Sequence, residues 1–541
     1  MVRSVTLDRV QFWQPPAPTP LSRGPDDSGH AAPAAPASFT TQRRPRPSFC
    51  DDEDDELPPL AKIVRDARDK HNPIVVDNDN DSSDGGYVSD KLHSSASATR
   101  STCTDPAPAT NPTTIGLEAD VETALDQGDR SGSGDSDATP LPLSLGAGLD
   151  DCINVPLLDY INRTDCQWYS DILVGNPPQA LSVLWDTGSI DLLLPQDNCT
   201  SCGEHRLFRT AASETFMPTP GTSVTRGFGT GADSIPFTDV QYVTGHVVSD
   251  QVAIGSSNLV ISDQTFIMCD TYAPALNAMP IDGIAGLFIP NSSSTGSESF
   301  FWRLFESGQL AAPIFSFFMP AGEERGAQLT LGGIDHDKYE EGKELIYFPV
   351  NRSLALSEDY RGFVYNLAAI YANGQRITFD SASTSVLRES RGEEPPPGIA
   401  FLDTGTAFMQ APSYEVARTL YAQVSPSITQ IDAAGAWGAP CNELDQVSVD
   451  FTLTFSSSGR GGQEYLNVTM PRESFNLGEY PGLPGICQAA WNNRYRPIPS
   501  PPEVGPVWFI GSPLLKAYYT VWDGIGMEIG WAKARKVGMR S

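Results

Sequence analysis

From about Val155 onward the chain alternates apolar and polar positions in short runs broken by Gly, Pro, Asn and Asp. Alternation with a period of two puts one face of each run on a core and predicts strands. The clearest runs cover residues 168–174, 181–185, 247–254, 328–331, 345–350, 447–455 and 519–522. A helical period appears in two places. Phe300, Phe301, Leu304 and Phe305 form one apolar face, and the stretch from Pro412 to Tyr421 opens on Pro and continues with helix formers. Loops are expected at 291–299, 381–398 and 492–506. The pattern predicts an all-β protein interrupted by a few short helices.

Residues 1–150 read differently. Pro-, Ala- and Ser-rich segments between Pro15 and Pro36 alternate with the acidic run Asp51-Asp52-Glu53-Asp54-Asp55-Glu56 and an acidic, Ser-rich patch between Asp77 and Asp90. Such composition buries too little apolar surface to offset chain entropy, so a disordered region is expected, one that a prosegment would match. A basic island at 62–70 interrupts it, open to reading as a short helix or as a solvated charged stretch.

Over the whole chain 67 Asp and Glu stand against 36 Lys and Arg, a net charge of −31. Phosphate backbones need a basic footprint, so nucleic acid is not an expected partner. The acidity suits either plain solubility or service in an acidic medium, where carboxylates are neutralised. No apolar run approaches the roughly 20 residues of a membrane-spanning helix. The opening Met1-Val2-Arg3-Ser4-Val5-Thr6-Leu7-Asp8 has no apolar core before Pro15, so no signal peptide is visible. Asn-X-Ser/Thr triplets begin at Asn162, Asn198, Asn291, Asn351 and Asn467, a slight pointer to an exported glycoprotein.

The chemistry lies in a repeated tripeptide. Asp186-Thr187-Gly188 follows the apolar run 181–185, and Asp403-Thr404-Gly405 follows the apolar run 399–402; Ser189 and Thr406 come next. Two copies about two hundred residues apart, with matching flanks, look like an internal duplication that supplies one carboxylate per half. Gly188 and Gly405 allow close backbone approach in a tight loop. Two carboxylates a few ångströms apart cannot both ionise, so they share a proton, as general acid–base attack of water on an amide requires. Ser189 and Thr406 are placed to hydrogen-bond the outer carboxylate oxygens. The six His are scattered, and neither a G-x-S-x-G elbow nor a Walker loop is present, so no metal or cofactor is implied.

From about Trp168 to the C-terminus the chain resembles the pepsin-like aspartic endopeptidases. Tyr169-Ser170-Asp171-Ile172-Leu173-Val174-Gly175 resembles the hairpin before the first active-site loop, and Ile281-Asp282-Gly283-Ile284-Ala285-Gly286-Leu287 the apolar-apolar-Gly element behind it. Leu329-Thr330-Leu331-Gly332-Gly333 resembles the strand closing the first lobe, and Trp508-Phe509-Ile510-Gly511-Ser512-Pro513-Leu514-Leu515 the second apolar-apolar-Gly element. The resemblance implies a bilobal double-barrel fold, with lobes at 151–338 and 339–541 after the region 1–150. It implies a monomeric endopeptidase, catalytic through Asp186 and Asp403, binding polypeptide extended in the cleft between lobes. Export to a secreted or vacuolar space is also implied, with a fungal-type secreted zymogen as the expected form. The rival is a pepsin-like binding or inhibitor protein of weak activity.

The flap departs from the family pattern. Members carry Tyr-Gly-Thr-Gly where this chain has Phe228-Gly229-Thr230-Gly231, and Leu193 stands where a Trp is usual. Phe228 covering the cleft by apolar contact and Tyr242 supplying a hydroxyl are the two options. Nine cysteines leave at least one unpaired. The resemblance implies disulfides Cys199–Cys202 and Cys441–Cys487; besides these, Cys166 is a candidate partner for Cys152, and Cys269 is expected to be a buried thiol. Zinc is the rival for Cys199 and Cys202, but no second ligand pair stands at suitable spacing.

Overall fold

A computed structural model describes residues 99–102 and 151–536, apart from 160–166, 230–234, 256–258, 278, 280, 293–297, 322–324, 380–397 and 460–461. The architecture is mostly β with a few short helices. Strands form at Trp168–Val174, Gln179–Asp186, Gln241–Ile254, Arg325–Leu331, Ile346–Pro349 and Tyr518–Asp523, over the alternating runs. The run 447–455 is shorter than expected. Val447 ends the helix Cys441–Val447 and the strand starts at Phe451. Leu444 anchors that helix in the core, and Ser448 Oγ donates to its carbonyl at 2.8 Å, so helical spacing wins over the apparent alternation of Val447 and Val449.

Both expected helices form. Phe300–Glu306 buries Phe300, Phe301, Trp302 and Leu304. Tyr414–Ala422 is capped by Ser413, whose side chain accepts the Val416 N–H, and buries Val416, Ala417, Leu420 and Tyr421.

The duplication is visible as topology. In the first half Gln179–Asp186 runs parallel to Gly283–Gly286, that strand antiparallel to Leu192–Pro195, and that one parallel to Val260–Thr271. In the second half Gly398–Leu402 runs parallel to Val507–Ile510, that strand antiparallel to Met409–Ala411, and that one parallel to Trp491–Asn493. Each half thus ends the strand before its Asp on a parallel partner, and the partners are the two apolar-apolar-Gly elements.

One sheet carries strands from both sides of residue 338. Ile314–Phe318 pairs with Arg325–Leu331 on one edge and with Tyr518–Asp523 on the other, and Tyr518–Asp523 continues through Glu528–Lys533 to Ile346–Pro349. Phe315 stacks on Trp522 across that join, ring centroids 6.1 Å apart. Six fully buried Trp fill the interior, among them Trp185 and Trp508 on the strands that flank the two Asp loops. Burying a large apolar side chain stabilises a fold by about 1.5–3 kcal/mol, so these positions hold the loop bases rigid.

Of the region 1–150 the structure describes only Thr99–Thr102, a strand antiparallel to Asp151–Asp159. The acidic runs and the basic island at 62–70 lie outside the described residues. Among the described residues no helix is long and apolar enough to cross a membrane.

Candidate active site

Asp186 is the last residue of its strand and Asp403 the first beyond its own, so both carboxylates leave the sheets at the start of a tight Thr-Gly turn. Gly188 N–H donates to Asp186 Oδ1 at 2.7 Å, and Gly405 N–H to Asp403 Oδ1 at 2.8 Å. Each turn thereby aligns its own carboxylate. Each glycine also faces the other Asp: a methyl on Gly188 would sit 2.7 Å from the Asp403 carboxyl, and one on Gly405 would collide with Asp186 Oδ1. Only glycine lets the carboxylates approach so closely.

The outer oxygens are treated unequally. Thr406 Oγ1 donates to Asp403 Oδ2 at 2.7 Å. Ser189, expected to do the same for Asp186, does not: its hydroxyl is buried and meets no hydrogen-bond partner among the described residues. A Thr hydroxyl is held by its β-methyl, whereas a Ser is free to take another rotamer. Burial, then the Asp186 charge beside it, pushes the Asp403 carboxyl well above the usual carboxylate range, against hydrogen bonds from Thr406 and the Gly405 N–H that pull it down.

The turns are braced from behind. Leu287 N–H donates to the Asp186 carbonyl at 2.7 Å, and Asp403 N–H to the Ile510 carbonyl at 3.0 Å. Ser512 binds the Thr406 carbonyl through its N–H and its hydroxyl. In the first half, Asp282 Oδ2 accepts from Ser182 N–H and Oγ, and Arg206 Nε donates to the same oxygen. Gln167, just before the stretch that carries the motifs, reaches across to donate to the Gly405 carbonyl at 2.5 Å.

The two Asp lie at the floor of a cleft of about 600 Å³ walled by both halves. Phe228, Phe237, Phe288, Phe363, Phe401 and Phe509 are among its apolar lining. Over it stands the hairpin Met217–Phe228 and Gln241–Ile254, in which Gly227 pairs with Tyr242 and Phe228 with Gln241. Phe228, Gly229 and Tyr242 all reach the cleft. Phe228 packs against the apolar cluster of Leu184, Leu193 and Val243, whereas Tyr242 is 42% exposed. Thr230 and Gly231 lie outside the described residues. The loop after Trp491–Asn493 also lines the cleft, with Arg494, Tyr495 and Arg496, and its alternating cations are the one sign of this in the sequence.

The cysteines cross-link as Cys199–Cys202 and Cys441–Cys487, the second tying the first residue of a helix to the strand Ile486–Ala489. Both sulfurs of the C-x-x-C are consumed, which removes the zinc alternative. Cys269 is a free, buried thiol whose pKa burial pushes up. Cys152 is disulfide-bonded, to a partner outside the described residues, where Cys166 also lies.

A family model described as eukaryotic aspartyl protease matches residues 167–534. Among curated relatives, pregnancy-associated glycoprotein 6 of Ovis aries is 27% identical, over 69% of this chain and 83% of its own length. Vacuolar protease A of Neurospora crassa is 26% identical, over 71% and 81%. Cathepsin D of Dictyostelium discoideum is 27% identical, over 70% and 86%.

Proposed function

Because the chain belongs to the eukaryotic aspartyl protease family, we propose that it is a working endopeptidase whose catalytic pair is Asp186 and Asp403. The observation that carries this reading is the mutual packing of each carboxylate against the other half's glycine, which leaves both facing one point on the cleft floor. Two carboxylates so close hold one proton between them. The ionised member takes a proton from water as the water oxygen attacks the scissile carbonyl. The protonated member gives its proton to that carbonyl oxygen, and the tetrahedral species collapses with proton return to the leaving amine. The elevated pKa of Asp403 fits a pair that keeps its shared proton.

The polypeptide lies extended between the halves of a monomer, under Phe228. A fungal-type, secreted or vacuolar enzyme fits the acidic composition and the vacuolar protease among its relatives. Removal of residues 1–150 as a prosegment fits their low apolar content.

The test is digestion of an unfolded protein at acidic pH by the chain and by Asp186→Asn and Asp403→Asn. Each substitution removes the shared proton's site and should abolish cleavage. Near-normal digestion by either variant would sink the dyad mechanism. A second reading, a binding protein without turnover, is favoured by the unbonded Ser189 hydroxyl and the Phe at the flap position. Tight peptide binding by the unaltered chain with no cleavage at any pH would establish it.

A further inference from the structure

Arg494 is a cation set into the wall of the cleft. Its backbone is fixed, the N–H donating to the Ala411 carbonyl at 2.9 Å. Its neighbour Asn493 is buried and accepts the Trp437 indole N–H at 2.8 Å. The guanidinium lies over the Phe509 ring, 5.4 Å from its centroid, and Nη1 donates to the neutral Gln410 side chain at 3.1 Å. Nη2 lies so close to Gly229 that a methyl there would overlap it. Among the described residues no carboxylate pairs with it. The other charged groups lining the cleft are Asp186, Asp239, Asp359, Asp403, Arg361 and Arg496, and Asp239 is occupied by Arg496 at 3.2 Å.

We propose that Arg494 is a specificity-determining residue that pairs with an Asp or Glu side chain of the bound peptide, beside Gly229. This rests on the endopeptidase reading for its substrate, though the carboxylate site itself does not. A guanidinium crowded by protein, with no ion pair among the described residues, bears a desolvation cost, and burial pulls its pKa down to about 10. A carboxylate arriving with the substrate relieves that cost, and the fixed backbone and the Phe509 face hold the planar fork ready for a two-pronged contact. Gln410 and Gly229, the described residues that touch the guanidinium besides Phe509, are neutral, so a Gln isostere gains much less.

The experiment scans peptides blocked at both ends, each position occupied in turn by Glu or Gln, and measures kcat/KM. One position should favour Glu by about tenfold, the scale of a charge-assisted hydrogen bond in a partly open site. The preference should shrink as pH falls below the ordinary glutamate pKa of about 4.3, because the neutral acid no longer pairs. In Arg494→Gln the Glu/Gln ratio should fall to about one, and in Arg494→Glu the same position should prefer Lys. Equal rates for Glu and Gln at every position, or a ratio unchanged in Arg494→Gln, would overturn the proposal. So would a preference that appears only with a free C-terminal carboxylate, or an Arg494→Gln loss equal for all peptides, which marks a hairpin prop. Calorimetric binding of the same peptide pairs to Asp403→Asn reads the carboxylate site without turnover. A Glu preference there, with no cleavage by the unaltered chain, would retain the Arg494 site and discard the endopeptidase reading.

Discussion

Thr187 and Thr404 exchange hydrogen bonds between the two halves: each hydroxyl accepts from the other's backbone N–H, both at 3.0 Å. Each hydroxyl then donates to a carbonyl of the opposite half, Thr187 to Leu402 at 3.2 Å and Thr404 to Trp185 at 2.9 Å. All four residues are buried, so the two Asp turns are spliced to each other rather than merely adjacent. Thr404→Val keeps the shape and strips both hydroxyl bonds, leaving the Thr187 N–H buried and unpaired. The expected cost is about 1–3 kcal/mol, read as a lower urea midpoint with an unchanged slope, together with loss of turnover. Thr187→Val should match it, because the network is symmetric.

The outer oxygens are not symmetric, and the variants should reveal it. Thr406→Ala removes a hydrogen bond that favours ionised Asp403, so that carboxyl's pKa rises further and the pH–rate profile moves to higher pH. Turnover at the original optimum should fall roughly tenfold. Ser189→Ala deletes a hydroxyl with no partner among the described residues and should leave both the rate and the profile within about twofold. Equal effects of the two substitutions would contradict the observed asymmetry.

Asp403 also makes stability depend on pH. Its folded pKa lies above the unfolded one, so the folded chain binds the proton more tightly. The resulting stabilisation is full below the unfolded pKa and is lost as pH rises through the folded value. Asp403→Asn has no proton to lose. The variant should therefore melt higher than the unaltered chain at pH 7, and the gap should narrow or reverse at pH 3. A gap independent of pH would show that Asp403 titrates alike in both states.

The hairpin presents two aromatic candidates, and their settings rank them. Phe228 is packed on Leu184, Leu193 and Val243 and faces the cleft, so Phe228→Ala both opens the site to water and loosens the hairpin. Tyr242 is partly solvent-exposed and stands outside that cluster. On one peptide, Phe228→Ala should lower kcat/KM at least tenfold and Tyr242→Ala only a few-fold, with Phe228→Tyr close to the unaltered chain. The reverse order would make Tyr242 the covering residue.

The strands and both Asp turns were legible because period-two patterning and a repeated tripeptide are local signals. What escaped were relations between distant segments. Thr187 and Thr404 read as the middle of each tripeptide, and nothing in one tripeptide shows that its hydroxyl is bonded to the other's backbone. Ser189 and Thr406 read as equivalents, and the difference of one methyl decides which oxygen is held. Val447 and Val449 mimicked a strand because a helix anchored by the single buried Leu444 has too little periodicity to outvote them. Thr99–Thr102, flanked by polar sequence, is ordered by pairing with Asp151–Asp159, a partner that no window of local sequence contains. Arg494 stood out only once the fold set it opposite Gly229.

The sheet that crosses residue 338 bears on how such a chain is divided. The strand Ile314–Phe318 meets Tyr518–Asp523 along its open side, so a polypeptide ending near residue 338 would present an unpaired, apolar edge. A fragment beginning there would carry three strands with nothing to lie against. The halves that the repeated tripeptide marks are therefore not units of expression: each needs the other's strands to close the sheet they share.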